Sequence, residues 1–331
     1  MIIKKISLQN FRSHELYTLK MGDETTQILG ENGWGKTSIL EAVYLALQGK
    51  SFRAVDREII RRGAEFYRVE LDFSDGEKVV VAYEEGGANK TFLVKCLKFR
   101  RLPKKYKYPV VLFLPDDLHL VGSSPTRKRD FFDKFLSQFS PQYALNLSRY
   151  NKALKQRNEL LKQENCNSNS LFSWDVMLAK YGCEIREART KLISAINSRL
   201  TEVYQGIAKN KDTVSVAYEP YIGEVDESKY LRMLSLDFER DRALGHTNFG
   251  IHKDGYNFIF NGSLADGSAS RGEVRSLVIA LKFIEAEMLE KELLKKPLVL
   301  LDDVFSELDE TRQEALVSNF KDNQIILTSV G

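Results

Sequence analysis

The stretch that most constrains how this chain of 331 residues folds is GENGWGKT, residues 30–37. It matches the phosphate-loop pattern GxxxxGK[ST], follows the apolar strand pattern of residues 26–29 and runs directly into a helical pattern over residues 36–47. Glycines in such a loop let backbone N–H groups close around a phosphate, and the helix N-terminus adds partial positive charge. The alternative, a glycine turn that matches by chance, leaves the flanking strand and helix unexplained. We therefore predict an α/β domain with a nucleotide site at this loop.

The loop predicts ATP and Mg²⁺ as ligands. Lys36 should reach the β- and γ-phosphates, and the Thr37 hydroxyl should be a ligand of Mg²⁺. The other residues expected to surround the phosphates are Gly30, Glu31, Asn32, Gly33, Trp34 and Gly35.

A carboxylate that holds the metal should come from a second strand. The run LVLLDD, residues 298–303, has four apolar residues followed by Asp302 and Asp303, and ligands bind at the carboxyl ends of strands in open α/β sheets. We predict that Asp302 binds Mg²⁺ and that Asp303 orients the attacking water of an ATPase. In the alternative, Asp303 only caps the next turn.

The stretch GSASRGEVRSLVIALKF, residues 267–283, is a polar, glycine-containing turn that leads into an apolar helix. Ser270 and Gly272 would lie at the helix N-terminus and form a second anion-binding end. By its position upstream of the acidic strand, this turn resembles the signature motif of ATP-binding-cassette (ABC) proteins. In that family the motif contacts the γ-phosphate held by the other subunit. SELD, residues 306–309, is similar to the D-loop of that family. An ordinary helix cap is the alternative for this turn.

The rest of the chain alternates strand-rich and helical regions. Short runs that are β-branched or alternate in polarity predict strands in the first third, among them IIKKISL, TQILG, RVELDF, KVVVAY, FLVKCL and PVVLFLP. Residues 125–209 have helical periodicity, with Leu147, Leu154 and Leu161 seven apart and a polar link, NCNSNS. We predict two long helices in an antiparallel hairpin, a short coiled coil; two amphipathic helices packed on a core are an equal alternative. Strands return after residue 212.

The resemblance to ABC proteins implies that these elements form an ABC-type ATPase head. This is an α/β fold with a phosphate loop and a mixed sheet, into which a helical lid with a short antiparallel coiled-coil arm is inserted. We place the discontinuous ATPase domain at residues 1–122 and 246–331 and the lid and arm at residues 123–245.

The composition excludes several other classes of protein. A net charge of +3 does not by itself predict nucleic-acid binding. The three cysteines are far apart and form no CxxC pair, so neither a zinc site nor a disulfide framework is indicated. The N-terminus lacks the pattern of a signal peptide, and no apolar stretch approaches the ~20 residues that span a bilayer. We therefore expect a cytoplasmic protein without a membrane segment.

The N-terminal stretch LQNFRSHELYTL resembles the opening of the chromosome-maintenance and recombination-repair branch of ABC ATPases, in which an Asn-Phe-Arg segment lies beside the nucleotide. Arg12 is therefore a candidate ATP contact; a core Phe11 with a surface Arg12 is the alternative. Across essentially the whole chain the sequence is similar to the RecF family, in particular at FLPDDLHLVGSSPTRKRDFFD, RYNKALKQRNELLK, WDVMLAKYGCEIREAR and GIHKDGYNFIFNG.

The resemblance implies an ATP-dependent DNA-binding protein of recombinational gap repair, replication and the SOS response. It implies a homodimer in which each ATP lies between the loop of one chain and Ser270 and Gly272 of the other, closing on duplex DNA next to a single-stranded gap and opening after hydrolysis. RecR and RecO are the implied partners. One alternative is an ATP-locked structural DNA scaffold with negligible turnover. Another is a transporter nucleotide-binding subunit, which would need a His after the last strand that is absent here.

Some residues depart from the RecF pattern. The family signature, close to Ser-Gln-Gly-Gln, reads Ser-Arg-Gly-Glu at residues 270–273. Ile251 stands where the family has Pro, and Gly255 stands where it has a second Asp. The chain also ends just after the last strand, where relatives usually continue for a short tail. We expect these departures to affect the hydrolysis rate more than ATP binding, and we predict a weak, DNA-stimulated ATPase.

Basic clusters are candidate DNA contacts, because Lys and Arg side chains bind the phosphate backbone without reading sequence. The candidate residues are Arg53, Arg57, Arg61, Lys104, Lys105 and Arg127. The first three are four apart in RAVDREIIRR, which predicts one face of a helix; the next two lie in KFRRLPKKYKY, where aromatic residues alternate with cations. Solvated charges balanced by nearby acids are the alternative for each cluster.

Overall fold

The computed structural model describes residues 2–86, 90–221, 223 and 225–330. The chain forms two compact units. The first unit comprises Met1–Leu118 and Glu285–Gly331, and the second unit comprises His119–Ile284. None of the helices in these described ranges is long and apolar enough to cross a membrane.

Both units combine strands and helices. The strands are β1 (Ile3–Phe11), β2 (His14–Lys20), β3 (Thr25–Leu29), β4 (Phe66–Phe73), β5 (Lys78–Glu84), β6 (Thr91–Val94), β7 (Leu97–Phe99), β8 (Val110–Phe113), β9 (Val214–Glu219), β10 (Gly255–Phe260), β11 (Ser263–Leu264), β12 (Leu298–Asp302) and β13 (Ile325–Ser329). The helices are α1 (Lys36–Gln48), α2 (Asp56–Ile59), α3 (Pro125–Phe139), α4 (Pro141–Leu161), α5 (Ser168–Ala208), α6 (Glu227–Leu236), α7 (Phe238–Leu244), α8 (Ala265–Ser268), α9 (Arg271–Leu293) and α10 (Glu310–Asn319). The predicted strand, glycine loop and helix around residues 25–48 are therefore confirmed.

Two sheets build the first unit. One is a four-stranded parallel sheet in the order β3-β13-β12-β8, and the other is a six-stranded antiparallel sheet in the order β2-β1-β4-β5-β6-β7. The strand β12 is buried along its whole length, as expected for a parallel strand that is covered on both faces. Its carboxyl end carries Asp302, and the carboxyl end of β3 leads into the glycine loop. Because β3 and β12 run parallel, both motifs lie at the same edge of the sheet.

The helix α1 is the central helix of the first unit. Its side chains are buried on all sides, with Ile39, Leu40 and Val43 fully inaccessible, and it packs against strands of both sheets. A helix that is apolar all round lies inside a core rather than on a surface. Burial between the two sheets therefore fixes the start of α1, which follows the glycine loop, at the edge where Asp302 lies.

In the second unit, α4 and α5 pack against each other as the predicted antiparallel hairpin. Hydrogen bonds join Asn146 to Glu184 and, nearer the connecting link, Arg157 to Asp175. The buried seam of α4 differs from the predicted one. It is formed by the residues Tyr143, Asn146, Tyr150, Ala153, Arg157 and Leu161, whereas Leu147 and Leu154 are only half-buried. The other face of α5 packs on α6 and β9, so the hairpin is also part of a core.

A buried arginine ties the second unit together. Arg189 of α5 is 1% exposed. Its guanidinium donates to both carboxylate oxygens of Asp133 (3.1 and 2.9 Å), to Asp254 Oδ2 (2.9 Å) and to the Ile251 carbonyl oxygen (2.9 Å). A buried charge is tolerated only when it is paired and hydrogen-bonded. These bonds connect α3, α5 and the start of β10.

One strand of the sequence prediction differs from the structure. FLVKCL is not one strand, because Lys95 and Cys96 have positive φ angles of 51° and 62° and form the turn between β6 and β7. The strand β10 pairs with β9 rather than with a sheet of the first unit, so residues 246–284 belong to the compact second unit. The domain boundaries at residues 122/123 and 245/246 stay a prediction.

Candidate nucleotide-binding site

The glycine loop and the ends of β1, β12 and β13 line an open cleft of about 680 Å³ in the first unit. Its described lining residues are Arg12, Ser13, Glu31, Asn32, Gly33, Gly35, Lys36, Thr37, Ser38, Arg53, Glu58, Ile60, Arg61, Arg62, Asp303 and Thr328. Lys36 and four arginines outnumber the three acids in this lining. An excess of cations suits a polyanionic ligand such as a nucleotide.

Gly35 is the loop position at which no other residue fits. Its φ is 97°, in the left-handed region, and a Cβ there would lie 2.5 Å from Ser13 Oγ and 2.7 Å from His14 Nε2. His14 Nε2 also lies 3.2 Å from the Gly35 carbonyl oxygen. The loop is therefore held closely against the residues between β1 and β2. The helix α1 begins at the next residue, and no side chain of the described residues caps its first amides.

The Lys36 side chain is buried along the loop. Its Nζ donates to the carbonyl oxygens of Gly30 and Glu31, the second at 3.1 Å. An ammonium held beside a ring of backbone amides is an arrangement that binds a phosphate group. The geometry therefore suits the role predicted for Lys36.

Of the predicted loop residues, Gly30 and Trp34 are not among the described residues that line the cleft. Gly30 takes part through its carbonyl oxygen. The Trp34 indole is 46% exposed, and its ring centroid lies 5.7 Å from that of His14 and 5.6 Å from that of Tyr17, both in edge-on geometry. The structure therefore places Trp34 in an aromatic cluster beside the loop.

A chain of hydrogen bonds joins the glycine loop to the acidic strand. Thr37 Oγ1 donates to Asp302 Oδ1 at 2.8 Å, across 265 residues of sequence. Thr328 Oγ1 donates to the same oxygen at 3.0 Å and accepts from the Asp303 backbone N–H at 2.9 Å. These hydrogen bonds bring together the residues predicted to bind the metal and to orient the water. They also add Thr328, which stands where a transporter subunit would place its His.

The two aspartates differ in their surroundings. Burial raises the pKa of Asp302, and the hydrogen bonds from Thr37 and Thr328 and the charge of Arg53 oppose that rise. Asp303 has a left-handed backbone, with φ of 52°, and its Oδ1 is buried with no hydrogen-bond partner among the described residues. A buried carboxylate oxygen without a partner is costly. It is the arrangement expected of a group that acts on a ligand.

Arg12 and Arg53 meet on a buried carboxylate that the sequence analysis does not identify. Arg12 donates through Nε and Nη2 to the two oxygens of Glu41, at 2.9 and 2.8 Å. Arg53 Nε donates to Glu41 Oε2 at 2.9 Å, and Arg53 Nη2 donates to Ser38 Oγ at 3.2 Å. Burial raises the pKa of Glu41, but hydrogen bonds from Arg12 and Ser51 and the nearby arginine charges bring it below the ordinary value. Glu41 is therefore ionised.

The prediction that Arg53, Arg57 and Arg61 share one face of a helix is wrong. The only helical residues in that stretch of the described chain are those of α2, which spans four residues and excludes Arg53 and Arg61. Arg53 and Arg61 line the nucleotide cleft, whereas Arg57 is exposed. Arg61 pairs with Glu15 at 3.0 Å, and Arg57 pairs with Glu85 at 2.6 Å. Residues four apart lie on the same face only within a continuous helix, and a helix of four residues is too short to contain all three arginines.

The other candidate DNA contacts lie on the surface. Lys104 and Lys105 are exposed in a short 3₁₀ turn, with the Lys105 ammonium 4.8 Å from the centre of the Tyr106 ring. Burial lowers the pKa of the adjacent Lys107, and the charges of Lys50 and Lys104 lower it further. Positive charge is therefore concentrated here. Arg127 is half-buried in the first turn of α3, where its N–H is capped by the serine that precedes the helix.

Ser270 and Gly272 lie at the start of α9, as predicted. Ser270 precedes the helix, and its Oγ accepts from the Glu273 backbone N–H at 3.3 Å. The Glu273 carboxylate accepts from the Ser270 backbone N–H at 2.6 Å. This reciprocal pair is a capping box. The Gly272 carbonyl oxygen accepts from Ser276 Oγ at 3.2 Å.

Known proteins are similar to this chain in sequence and in fold. The family model for an AAA ATPase domain matches residues 1–326. The DNA replication and repair protein RecF of Lachnoclostridium phytofermentans is 33% identical over 338 residues, covering 100% of this chain and 93% of that protein. RecF of Clostridioides difficile is 34% identical over 343 residues, covering 99% and 91%.

Solved structures are also similar to this chain. The structure of the recombination mediator protein RecF with ATPrS, in the RecFOR pathway, superposes with a TM-score of 0.89 at 27% identity, covering 99% of this chain and 92% of that one. The head of an Smc protein, bound to a winged-helix domain of ScpA, superposes with a TM-score of 0.53 at 14% identity, which concerns the fold alone.

The matched domain defines an ATPase, and its fold is that of an ABC-type ATPase head. Along the chain the glycine loop comes first, the turn before α9 second and the acidic strand β12 third. The chain belongs to the RecF family of DNA replication and repair proteins, and it is a DNA-repair ATPase. The predictions of fold class, family and ATPase activity are confirmed.

Proposed function

We propose that the cleft binds ATP with Mg²⁺ and hydrolyses it. The observation that carries this proposal is the 2.8 Å hydrogen bond from Thr37 Oγ1 to Asp302 Oδ1, because it joins the phosphate loop to the acidic strand. The backbone amides of residues 31–37 and the Lys36 ammonium would bind the phosphates. The solved structures of RecF that resemble this chain are described as complexes with ATP and with ATPrS, which supports ATP as the nucleotide.

Thr37 and Asp302 would hold the magnesium ion. Their oxygens are hard ligands that Mg²⁺ prefers, and Mg²⁺ usually takes only one or two protein groups, with phosphate and water completing its shell. The described residues contain no cluster of three or more acids, His or Cys that could hold a metal alone, which agrees with a site that needs the nucleotide. The ion would neutralise charge on the phosphates. Asp303, whose Oδ1 has no described partner, would orient the attacking water.

The ATP-bound state would be a homodimer that closes on DNA. Ser270 and Gly272 of a second copy would contact the γ-phosphate, so that the nucleotide joins the two chains. RecF is described as a recombination mediator in the RecFOR pathway, and this supports DNA as the substrate and RecR and RecO as partners. The preferred DNA would be duplex next to a single-stranded gap. A protein that acts on bacterial chromosomal DNA works in the cytoplasm.

Steady-state phosphate release, measured against protein concentration with and without gapped duplex DNA, tests this function. A shared site predicts activity that rises faster than linearly with protein and that increases further with DNA. A rate of phosphate release that is linear in protein concentration and unchanged by DNA would mean that each chain hydrolyses ATP alone. That result would reject the dimer.

The turn at residues 104–106 is our preferred DNA contact, because Lys104 and Lys105 are exposed there and Lys107 adds a third positive charge beside them. The double variant Lys104→Gln/Lys105→Gln should bind gapped duplex more weakly. The slope of log Kd against log salt should fall by about 2, since each lost phosphate contact removes ~0.9. Arg57→Gln is the matched control. An unchanged slope in the double variant would exclude this turn from the DNA interface.

A second function, an ATP-locked scaffold with little turnover, is favoured by one observation. The turn that would meet the γ-phosphate reads Ser-Arg-Gly-Glu at residues 270–273, where the family has a motif close to Ser-Gln-Gly-Gln, and these changes would slow hydrolysis more than they weaken ATP binding. A stable ATP dimer with negligible phosphate release, even with DNA, would support the scaffold over the ATPase cycle.

A further inference from the structure

Glu41 is the most completely hydrogen-bonded side chain near the cleft. It lies on α1, one turn beyond Thr37, and is 0% exposed. Its Oε1 accepts from Arg12 Nη2 (2.8 Å) and from Ser51 Oγ (2.6 Å). Its Oε2 accepts from Arg12 Nε and from Arg53 Nε, both at 2.9 Å. Four donors therefore converge on one carboxylate, which leaves it no free lone pair for a ligand.

The two arginines reach the cleft, but Glu41 does not. The side chains of Arg12 and Arg53 are 22% and 39% exposed, and both residues line the cleft. Glu41 is sealed behind them and is absent from the described lining. Any effect of Glu41 on a bound nucleotide must therefore pass through the two guanidinium groups.

Arg53 connects this cluster to the phosphate end of the cleft. Its Nη2 donates to Ser38 Oγ in the first turn of α1, the residue after Thr37. Its charge also acts on Asp302. The helix N-terminus, the metal ligand and the Arg53 guanidinium thus lie close together, at the place where the triphosphate would bind.

We propose that Glu41 is a positioning residue that holds Arg12 and Arg53 side by side as a bidentate clamp for the phosphates of the nucleotide. Two guanidinium groups repel each other unless an anion lies between them. Glu41 supplies that anion and fixes both groups, so that each keeps N–H donors for the ligand. This inference rests on the proposed nucleotide site. It assigns Arg53 to ATP rather than to DNA.

The test is nucleotide affinity in a set of variants of the full chain. Glu41→Gln keeps the size of the side chain but removes its charge and turns an N–H toward a guanidinium. We expect the Kd for ATP-Mg²⁺ to rise about tenfold, the scale of one lost charge-assisted hydrogen bond. In an Arg12→Gln/Arg53→Gln background, the same change should have less than about a twofold further effect, because residues that act as one unit are not additive.

Two further variants separate positioning from folding. Gln48→Leu removes another buried polar side chain of α1, whose amide donates to the Tyr108 carbonyl oxygen at 2.6 Å and does not touch the arginines. It should lower the Tm while leaving the Kd for ATP unchanged. If Glu41→Gln fails to fold, Glu41→Asp keeps the charge but is one methylene shorter, and it should raise the Kd about threefold because it cannot hold both arginines.

The outcomes distinguish this inference from the nucleotide site itself. Wild-type affinity in Glu41→Gln, or in Glu41→Asp where that variant replaces it, would overturn the clamp. So would an equal loss in the arginine-free background, or an equal loss in Gln48→Leu. In each of these cases a loss of binding in Lys36→Ala would leave the site intact. Unchanged ATP binding in Lys36→Ala would instead reject the site on which the clamp depends.

Discussion

The starts of α1 and α9 follow similar small, polar turns but leave their amides in different states. At α1 the preceding residue is Gly35, in a left-handed conformation, and within the described part of the chain no side chain bonds to the first amides. At α9 the preceding residue is Ser270, whose hydroxyl bonds to the Glu273 amide while the Glu273 carboxylate bonds back to Ser270. The first start is open and the second is capped by its own side chains.

This difference determines what each helix start can bind. An open N-terminus has free N–H groups and a partial positive charge, and Lys36 adds a full charge beside it, so α1 attracts a phosphate. At α9 the Glu273 carboxylate already occupies the favourable position for an anion. A phosphate that approaches Ser270 would meet a negative charge. Small polar residues before a helix therefore predict where it begins, but not whether its end is available to a ligand.

The largest expected effect on ATP binding is at the open start of α1. Lys36→Ala removes an ammonium that donates to the loop carbonyls of Gly30 and Glu31 and would donate to the phosphates. Losing two charge-assisted hydrogen bonds, about 3 kcal/mol, should weaken ATP binding roughly 100-fold. The measurement is the Kd for ATP by calorimetry.

The exposed Lys20, on β2, provides a control for the loss of one positive charge. Lys20→Ala should bind ATP as the wild type does. Equal affinity in the Lys36 and Lys20 variants would show that the open helix start is not the phosphate site.

The open start could be predicted from the sequence, because its pattern is local. The glycine loop, the strand before it and the helix after it lie within about 25 residues, and each has its own signal. Asp302 could also be predicted, since an apolar run that ends in two aspartates indicates a buried strand with acids at its carboxyl end. The Thr37–Asp302 bond then follows from the parallel order of β3, β13 and β12.

The cluster around Glu41 could not be predicted, because its members come from three segments that only the tertiary fold brings together. In the sequence, Glu41 looks like one charged residue in an apolar helix, and Arg53 looks like part of a basic surface. Only an acid in the middle of the otherwise apolar run ILEAVYLAL was a usable signal, since a buried charge must have a partner. The spacing of Leu147 and Leu154 predicted the wrong buried face of α4. That face is formed instead by tyrosines and an arginine, whose polar ends have hydrogen-bond partners in the second unit.

A smaller effect on ATP binding is expected at the capped start, where Ser270→Arg would test the contact across the dimer. The substitution replaces the capping hydroxyl with a bulky side chain. The monomer should still bind ATP, and the ATP-dependent dimer should be lost in sedimentation or light scattering. Ser268→Arg, two residues earlier and also exposed, is the matched control and should dimerise normally. Normal dimerisation of the Ser270 variant would leave this turn as a helix cap only.

The smallest and most specific effect is expected for Glu273→Gln. Glutamine can keep the capping box, because its amide oxygen accepts the same bond from the Ser270 N–H, but it removes the charge that a γ-phosphate would meet. The ATP-dependent dimer should therefore become tighter by roughly two- to fivefold, which corresponds to the 0.3–1 kcal/mol of a charge at a helix end. Glu290→Gln, near the other end of α9, controls for net charge and should change nothing. If Glu273→Gln left dimerisation unchanged or weakened it, the carboxylate would not face the phosphate, and the start of α9 would be a capped helix end rather than half of a shared nucleotide site.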